Sequence, residues 1–311
     1  MVDVVELMPG QAEGLGEMTF PAYRHLLRLE PATIHPEEGV TLAMEPVALA
    51  ALEEGRTLGL LLAALPAGGP ASLTLLSLFV PPPYRRRGIG SGLITAAEEL
   101  ARRRGIRRLE AVYMTGKEGP ETFERLIGRS GWAPPSARMV SVKFTIAEAK
   151  TTRWYQKYPL RSALEIFSWK DLTTAEREEL ITSHAASPWI APDLVPWKYD
   201  ARGFDPISSV GARLDGKVVG WVINHRLGNG TVRFTCSYIR EDLKRRGRIV
   251  PLYSESIRRL AEVGATSASL TVPMHHREMV TFVLKHCKEW VTFVGETRGS
   301  MKELSGCVDH A

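Results

Sequence analysis

The chain has 311 residues, 44% hydrophobic and 24% charged, with a formal net charge of +5. This length exceeds what one core usually fills, so two domains of about 150 residues are expected, with the composition of an ordinary globular protein. No run approaches the roughly 20 apolar residues of a membrane helix, Met1 to Pro9 lacks a signal peptide's basic start, and Cys236, Cys287 and Cys307 show no paired spacing; these exclude a disulfide scaffold or zinc ribbon and point to a cytoplasmic protein with reduced thiols.

In chain order, the apolar pattern predicts a strand at Val2 to Leu7 and a helix at Leu15 to Leu27. Strands at Val47 to Leu52 and Leu58 to Leu65 follow, joined by a tight turn, and then a strand at Leu73 to Val80. A glycine turn leads into a helix at Gly90 to Arg104, where Ile89, Leu93, Ala96, Ala97, Leu100 and Ala101 recur at helical spacing and Gly105 supplies the stop. Leu109 to Met114 reads as a strand, Pro120 to Arg129 as a helix and Met139 to Ile146 as a strand. Ala147 to Pro159 is mostly polar, so the boundary is placed after residue 148, giving domains 1–148 and 149–311.

The second half repeats the first. Val80-Pro-Pro-Pro-Tyr-Arg-Arg-Arg-Gly88 lies over Ile239-Arg-Glu-Asp-Leu-Lys-Arg-Arg-Gly247 at an offset of 159 residues, and the same offset carries Gly105 onto Gly264. Leu52 to Gly59 likewise resembles Leu214 to Gly220. Strands separated by helices imply an α/β fold with mixed sheets in each copy.

The segment with chemistry in it is Leu73 to Val80 followed by Pro-Pro-Pro-Tyr and Arg85-Arg-Arg-Gly-Ile-Gly-Ser91. A strand, a glycine turn and a helix start aim unpaired N–H groups at one point, where a phosphate binds. Glycine at 88 and 90 lets backbone approach a pyrophosphate, and neighbouring arginines add charge-assisted bonds. A Walker loop would need a closing Gly-Lys-Ser or Gly-Lys-Thr, which is missing, and a Rossmann fingerprint would need glycine or alanine where Leu93 stands. Arg85 to Arg87 flank the turn, while Arg102, Arg103, Arg104, Arg107 and Arg108 read as a solvated helix end rather than a nucleic-acid surface.

Arg85, Gly88 and Gly90 closely resemble the acetyl-CoA signature of the GNAT superfamily, Arg/Gln-x-x-Gly-x-Gly/Ala. The apolar strand ending in Val-x-Pro, the following helix and Gly131-Trp132 extend the resemblance over residues 1–146, and the repeat extends it more weakly over 160–304. The resemblance implies two GNAT-like domains in tandem, each a mixed, mostly antiparallel sheet with a splayed central strand pair. It further implies that the backbone of Leu78, Phe79 and Val80 bonds the pantetheine arm and that Arg85, Arg86, Arg87, Gly88, Ile89, Gly90 and Ser91 hold the pyrophosphate of acetyl-CoA. In the second copy Lys244, Arg248, Ile249, Val250 and Pro251 replace Arg85, Ile89, Gly90, Ser91 and Gly92, so that copy is expected to keep the fold and lose the cofactor.

The implied activity is N-acetyltransfer, or transfer of another short acyl group, from coenzyme A to a primary amine of a small molecule. A protein N-terminus or lysine is an alternative acceptor, and a non-catalytic acyl-CoA sensor an alternative role. The family's usual helix Tyr and Asn fall at Ile127 and Pro120, and no carboxylate lies on Leu73 to Val80. Tyr113 and Glu110 are the candidate acid and base, with Tyr84 and Thr115 nearby. From the second half, His184, Trp189, Tyr238 and His275-His276-Arg277-Glu278 are unused chemistry; the last reads as a solvated helix start, and no metal is expected. No nucleic-acid or membrane partner is expected, and a monomer is preferred because tandem domains can cover each other's interface.

Overall fold

In a computed structural model, residues 2–37, 40–66, 72–157, 164–244 and 247–304 are described. Arg245, Arg246 and Cys307 of the sequence reading lie outside them. The strands are β1 (Asp3–Glu6), β2 (Ala32–Glu37), β3 (Val40–Glu53), β4 (Arg56–Pro66), β5 (Leu73–Phe79), β6 (Arg108–Met114) and β7 (Ser136–Thr145), then β8 (Glu165–Ser168), β9 (Val210–Leu214), β10 (Lys217–Arg226), β11 (Val232–Ile239), β12 (Ser267–Pro273) and β13 (Phe293–Glu303). The helices are α1 (Ile89–Arg103), α2 (Pro120–Arg129), α3 (Ile146–Thr151), α4 (Arg153–Lys157), α5 (Thr174–Ala186), α6 (Glu241–Lys244), α7 (Val250–Glu262) and α8 (Arg277–His286).

Contacts divide the chain into Met1–Arg138 with Glu296–Ala311, and Met139–Gly295. The expected cut after residue 148 kept each repeat whole, and the structure differs because each unit completes its sheet with a distant strand. In the first unit the strand order is β1-β3-β4-β5-β6-β13, with β2 beside β3, and Thr297 to Glu303 of β13 pair antiparallel with β6. In the second unit it is β7-β12-β11-β10-β9-β8, where Met139 to Thr145 of β7 pair antiparallel with β12. Each unit is a mixed, mostly antiparallel sheet with one parallel pair, β5–β6 or β11–β12. Lysine and backbone bonds fasten β13 within its unit: Lys302 Nζ donates to Glu98 Oε2 at 2.7 Å and to Ser130 O at 2.6 Å.

The repeat seen in sequence is repeated in backbone detail. Both hairpins turn on two residues with positive φ, Glu54-Gly55 (50° and 76°) and Asp215-Gly216 (51° and 74°), as a type I′ turn requires. Strand β4 is buried on both faces: Leu58, Leu61 and Ala63 meet α1, while Leu60, Leu62 and Ala64 meet Leu26 and Leu27. Each such leucine contributes about 1.5–3 kcal/mol over leaving it exposed.

Two expectations are corrected. Residues 15–27 are not one α-helix but 3₁₀ segments at Gly16–Met18 and Pro21–Arg28, because Phe20 precedes a proline and is held extended at ψ 143°. The polar stretch after 146 is not an open linker: Thr145 caps α3 by accepting from Glu148 N–H, Ile146 and Ala149 are buried, and Trp154 and Tyr155 of α4 pack on the second unit's core. Strand β2 was missed.

Candidate functional site

The site is built first by a strand that loses its neighbour. Strands β5 and β6 pair in parallel only from Leu73 beside Leu109 to Leu75 beside Ala111, although β5 runs on to Phe79 and β6 to Met114. A register shift between β4 and β5 at Leu62/Ala63 leaves Leu76 as an extra residue. This bulge resets the alternation of β5, so Leu73, Leu75 and Leu78 face the α1 core while Leu76 faces the opposite side. Beyond Leu75, backbone groups of β5 aimed away from β4 have no strand to bond among the described residues, which is the open edge that the expected pantetheine contacts of Leu78, Phe79 and Val80 require. One group there is already engaged: Arg85 Nε donates to Val80 O at 2.9 Å.

The glycine turn stands at the end of that edge. Arg86 has φ 67° and Gly88 φ 80°, so two left-handed residues turn the chain into α1. Bonds of the turn end with Arg85 N–H to Pro82 O at 3.2 Å, and helical bonding begins with Gly92 N–H to Gly88 O at 3.0 Å. Between them the N–H groups of Arg86, Arg87, Gly88, Ile89, Gly90 and Ser91 make no backbone hydrogen bond with any of the described residues. They share the positive end of a 15-residue helix. Arg86 is exposed, and Arg87 holds Glu53 at 2.6 Å. Gly59 seats the turn, since a Cβ there would lie 2.9 Å from Ile89 Cγ2. Gly90 has a second duty unseen in the sequence: its Cβ would lie 3.3 Å from Leu126 Cδ2 on α2.

The second unit has the same splay, but the described residues at its helix start are bonded differently. Strand β11 pairs with β12 only from Val232 to Phe234, and its bulge follows at Ile223/Asn224 of β10. Gly247 keeps the left-handed φ at 63°, and Ile249 is right-handed helical at φ −77° and ψ −26°, as Gly90 is within α1, but it carries a β-branched side chain. Gly247 N–H bonds Lys244 O at 3.0 Å, Val250 N–H bonds Gly247 O at 3.1 Å, and Pro251 has no N–H to offer. Val250, Pro251, Leu252 and Tyr253 are all buried. The start of α7 is therefore filled core where the start of α1 is an open donor cluster.

The candidate acid and base are not brought together. Three residues apart on β6, Tyr113 and Glu110 project to opposite faces. Glu110 lies on the side away from α1, with Arg108 Nη1 at 3.6 Å. Tyr113 lies on the side of α2, against Phe123, and donates its hydroxyl to Glu124 Oε1 at 2.8 Å. Burial first, and then this bond to a carboxylate, raise the phenol well above its usual range. Arg298 Nη1 donates to the same Glu124 oxygen at 2.9 Å, and Arg298 Nε to Glu296 Oε2 at 2.9 Å. Sequence reasoning missed Glu124 and Arg298; a Glu midway between Pro120 and Ile127 was a readable signal, while Arg298 comes from β13.

The other candidates have structural duties. Ile127 is fully buried, Thr115 Oγ1 accepts from Glu296 N–H at 2.7 Å, and Tyr84 stacks under Arg56 at 5.2 Å. In the second unit His184 Nδ1 accepts from Trp189 N–H at 3.2 Å, and Trp189 and Tyr238 belong to an aromatic cluster. Among the described residues no helix is long and apolar enough to cross a membrane. Arg87, Arg102, Arg104 and Arg108 pair with Glu53, Glu98, Glu6 and Glu303, so much of the basic charge is matched locally.

Residues 16–126 match the acetyltransferase (GNAT) family. No curated protein matches the sequence significantly. Among solved structures, a tandem GNAT protein from the clavulanic acid biosynthesis pathway is 16% identical, with a TM-score of 0.56, covering 99% of this chain and 100% of its own. A GCN5-related N-acetyltransferase from Sphaerobacter thermophilus is 15% identical, with a TM-score of 0.56, covering 98% and 97%. A GCN5-related glucosamine N-acetyltransferase region of a fungal multi-domain β-N-acetylglucosaminidase is 14% identical, with a TM-score of 0.57, covering 97% of this chain and 38% of that one. At these identities the likeness establishes the fold: two GNAT-like domains in tandem.

Proposed function

We propose, for a chain whose residues 16–126 match the acetyltransferase (GNAT) family and whose whole length has the tandem GNAT fold, an N-acyltransferase that moves an acetyl or other short acyl group from coenzyme A to a primary amine of a small molecule. The observation that carries this reading is the run of unbonded N–H groups from Arg86 to Ser91, placed where β5 has parted from β6. A pyrophosphate suits that cluster, because six N–H groups without a backbone partner among the described residues lie at or just before a helix start, where the helix dipole favours an anion. When bound, acetyl-CoA supplies an activated thioester. The free edge of β5 from Leu76 to Val80 orients the arm, and Arg86 adds a charge-assisted contact.

The acceptor must lose a proton, since an alkyl amine with a pKa of about 10.4 is mostly charged at neutral pH. Glu110 is turned away, so water is the base in this reading. Tyr113 has its proton committed to Glu124, which leaves its oxygen lone pairs to accept from the amine N–H and orient the nucleophile. The protein works as a monomer in the cytoplasm and binds neither membrane nor nucleic acid in this proposal.

A thiol-release assay with acetyl-CoA and a panel of small amines, lysine peptides and free peptide N-termini tests the reading. Turnover with one class of small amine is expected. Tight CoA binding without turnover on any acceptor would show an acyl-CoA sensor instead, a role that Ile127 in place of a hydroxyl favours.

A further inference from the structure

The geometry points to a binding site for one divalent transition-metal ion of the zinc class in the second unit, formed by Asp193, His275 and His276. The ligand atoms of these three side chains all lie within 4.8 Å of one another. Nε2 of His276 stands 2.7 Å from Asp193 Oδ2, and Nε2 of His275 stands 3.3 Å from the same oxygen. Zinc bonds of about 2.0–2.2 Å to nitrogen and oxygen place tetrahedral ligand atoms about 3.3 Å apart, so the His275 pair already has the spacing and the His276 pair needs to open slightly. Two imidazoles and one carboxylate suit zinc, nickel or copper better than magnesium or calcium, which prefer all-oxygen shells.

Both sides of the cluster are held before any ion arrives. The two histidines lie in the turn between β12 and α8, where His276 N–H bonds Pro273 O at 3.0 Å. Asp193 lies in a loop fixed by three side chains: Tyr199 hydroxyl donates to Asp193 O at 2.8 Å, and Trp221 Nε1 and Cys236 Sγ donate to Leu194 O at 3.2 and 3.1 Å. The rings of the two adjacent histidines lie 4.2 Å apart, each with its Nε2 toward Asp193 Oδ2. Three protein ligands leave at least one coordination position open, and with His275 65% exposed that position faces water. The bound ion would tie the 191–195 loop to the start of α8.

The test is a titration of ZnCl2 into the full chain, stripped with a chelator and exchanged into buffer, followed by calorimetry and by X-ray absorption at the zinc edge. One equivalent is expected to bind at micromolar concentration or tighter, with nitrogen and oxygen neighbours at about 2.0–2.2 Å. His275→Ala, at an exposed side chain that spares the core, should weaken binding at least tenfold, and Asp193→Asn with His276→Ala should abolish it. Coenzyme A binding should be the same in all of these variants. No zinc binding by the parent chain overturns the assignment. So does an equivalent retained when both histidines are alanine, or lost only with Cys307→Ser and His310→Ala.

Discussion

A Cβ built on Gly90 would lie 3.3 Å from Leu126 Cδ2, so this glycine sets how closely α1 and α2 pack, and the proposed function gives it a second duty at the pyrophosphate. The two duties can be separated. Gly90→Val should abolish CoA binding and destabilise the chain by about 1–3 kcal/mol through overpacking. Adding Leu126→Ala should return much of the stability and none of the binding. Urea melts and calorimetric titration with CoA report the two effects independently; restored CoA binding in the double variant would mean that Gly90 matters only for packing.

Ile249→Gly should not create a second CoA site. Val250 N–H stays bonded to Gly247 O, Pro251 still lacks a donor, and the surrounding residues remain buried. One CoA per chain is expected in both parent and variant, and a stoichiometry of two in either contradicts the asymmetry of the copies.

Tyr113→Phe should lower kcat/KM by less than about tenfold, because removing a true general acid costs about 10²–10⁴. Its phenol is raised and its proton is held by Glu124, so it is a poor donor to a thiolate. A group whose folded pKa is raised stabilises the fold below its unfolded pKa and loses that contribution as pH climbs through the folded value. The Tyr113–Glu124 bond should therefore support stability up to about pH 10. A loss above a hundredfold in the pH–rate profile of the variant would restore the acid role.

Glu176 closes the N-terminal capping box of α5 with Thr173 and pairs with Arg213 at 2.5 Å. The hydrogen bond from Arg213 holds its carboxyl down to about 2. A depressed acid stabilises the fold above its unfolded pKa, and the contribution fades as pH falls from about 4.5 toward 2. Glu176→Gln should melt lower than the parent at pH 7 and approach it at pH 2–3. An equal difference at both pH values would show that packing, not charge, is lost.

By itself the sequence determined the doubled fold, the position of α1 and the inequality of the two glycine turns. These rest on local physics: helical spacing from Ile89 to Ala101, a type I′ signal at Glu54-Gly55 and Asp215-Gly216, and a β-branched residue with a proline where the first copy has Gly90, Ser91 and Gly92. The bulge at Leu76 was not read from the sequence: the alternation of β5 breaks at Leu75-Leu76, but such a break does not by itself say against which neighbouring strand the extra residue falls. Tertiary structure alone decided that the last strand of each repeat pairs outside its own repeat, since register between distant strands carries no local mark. The same long-range placement set Arg298 on Glu124 and Asp193 beside His275 and His276. Which side chains face one another across a sheet or a loop depends on how the whole chain closes, and no window of neighbouring residues contains that information.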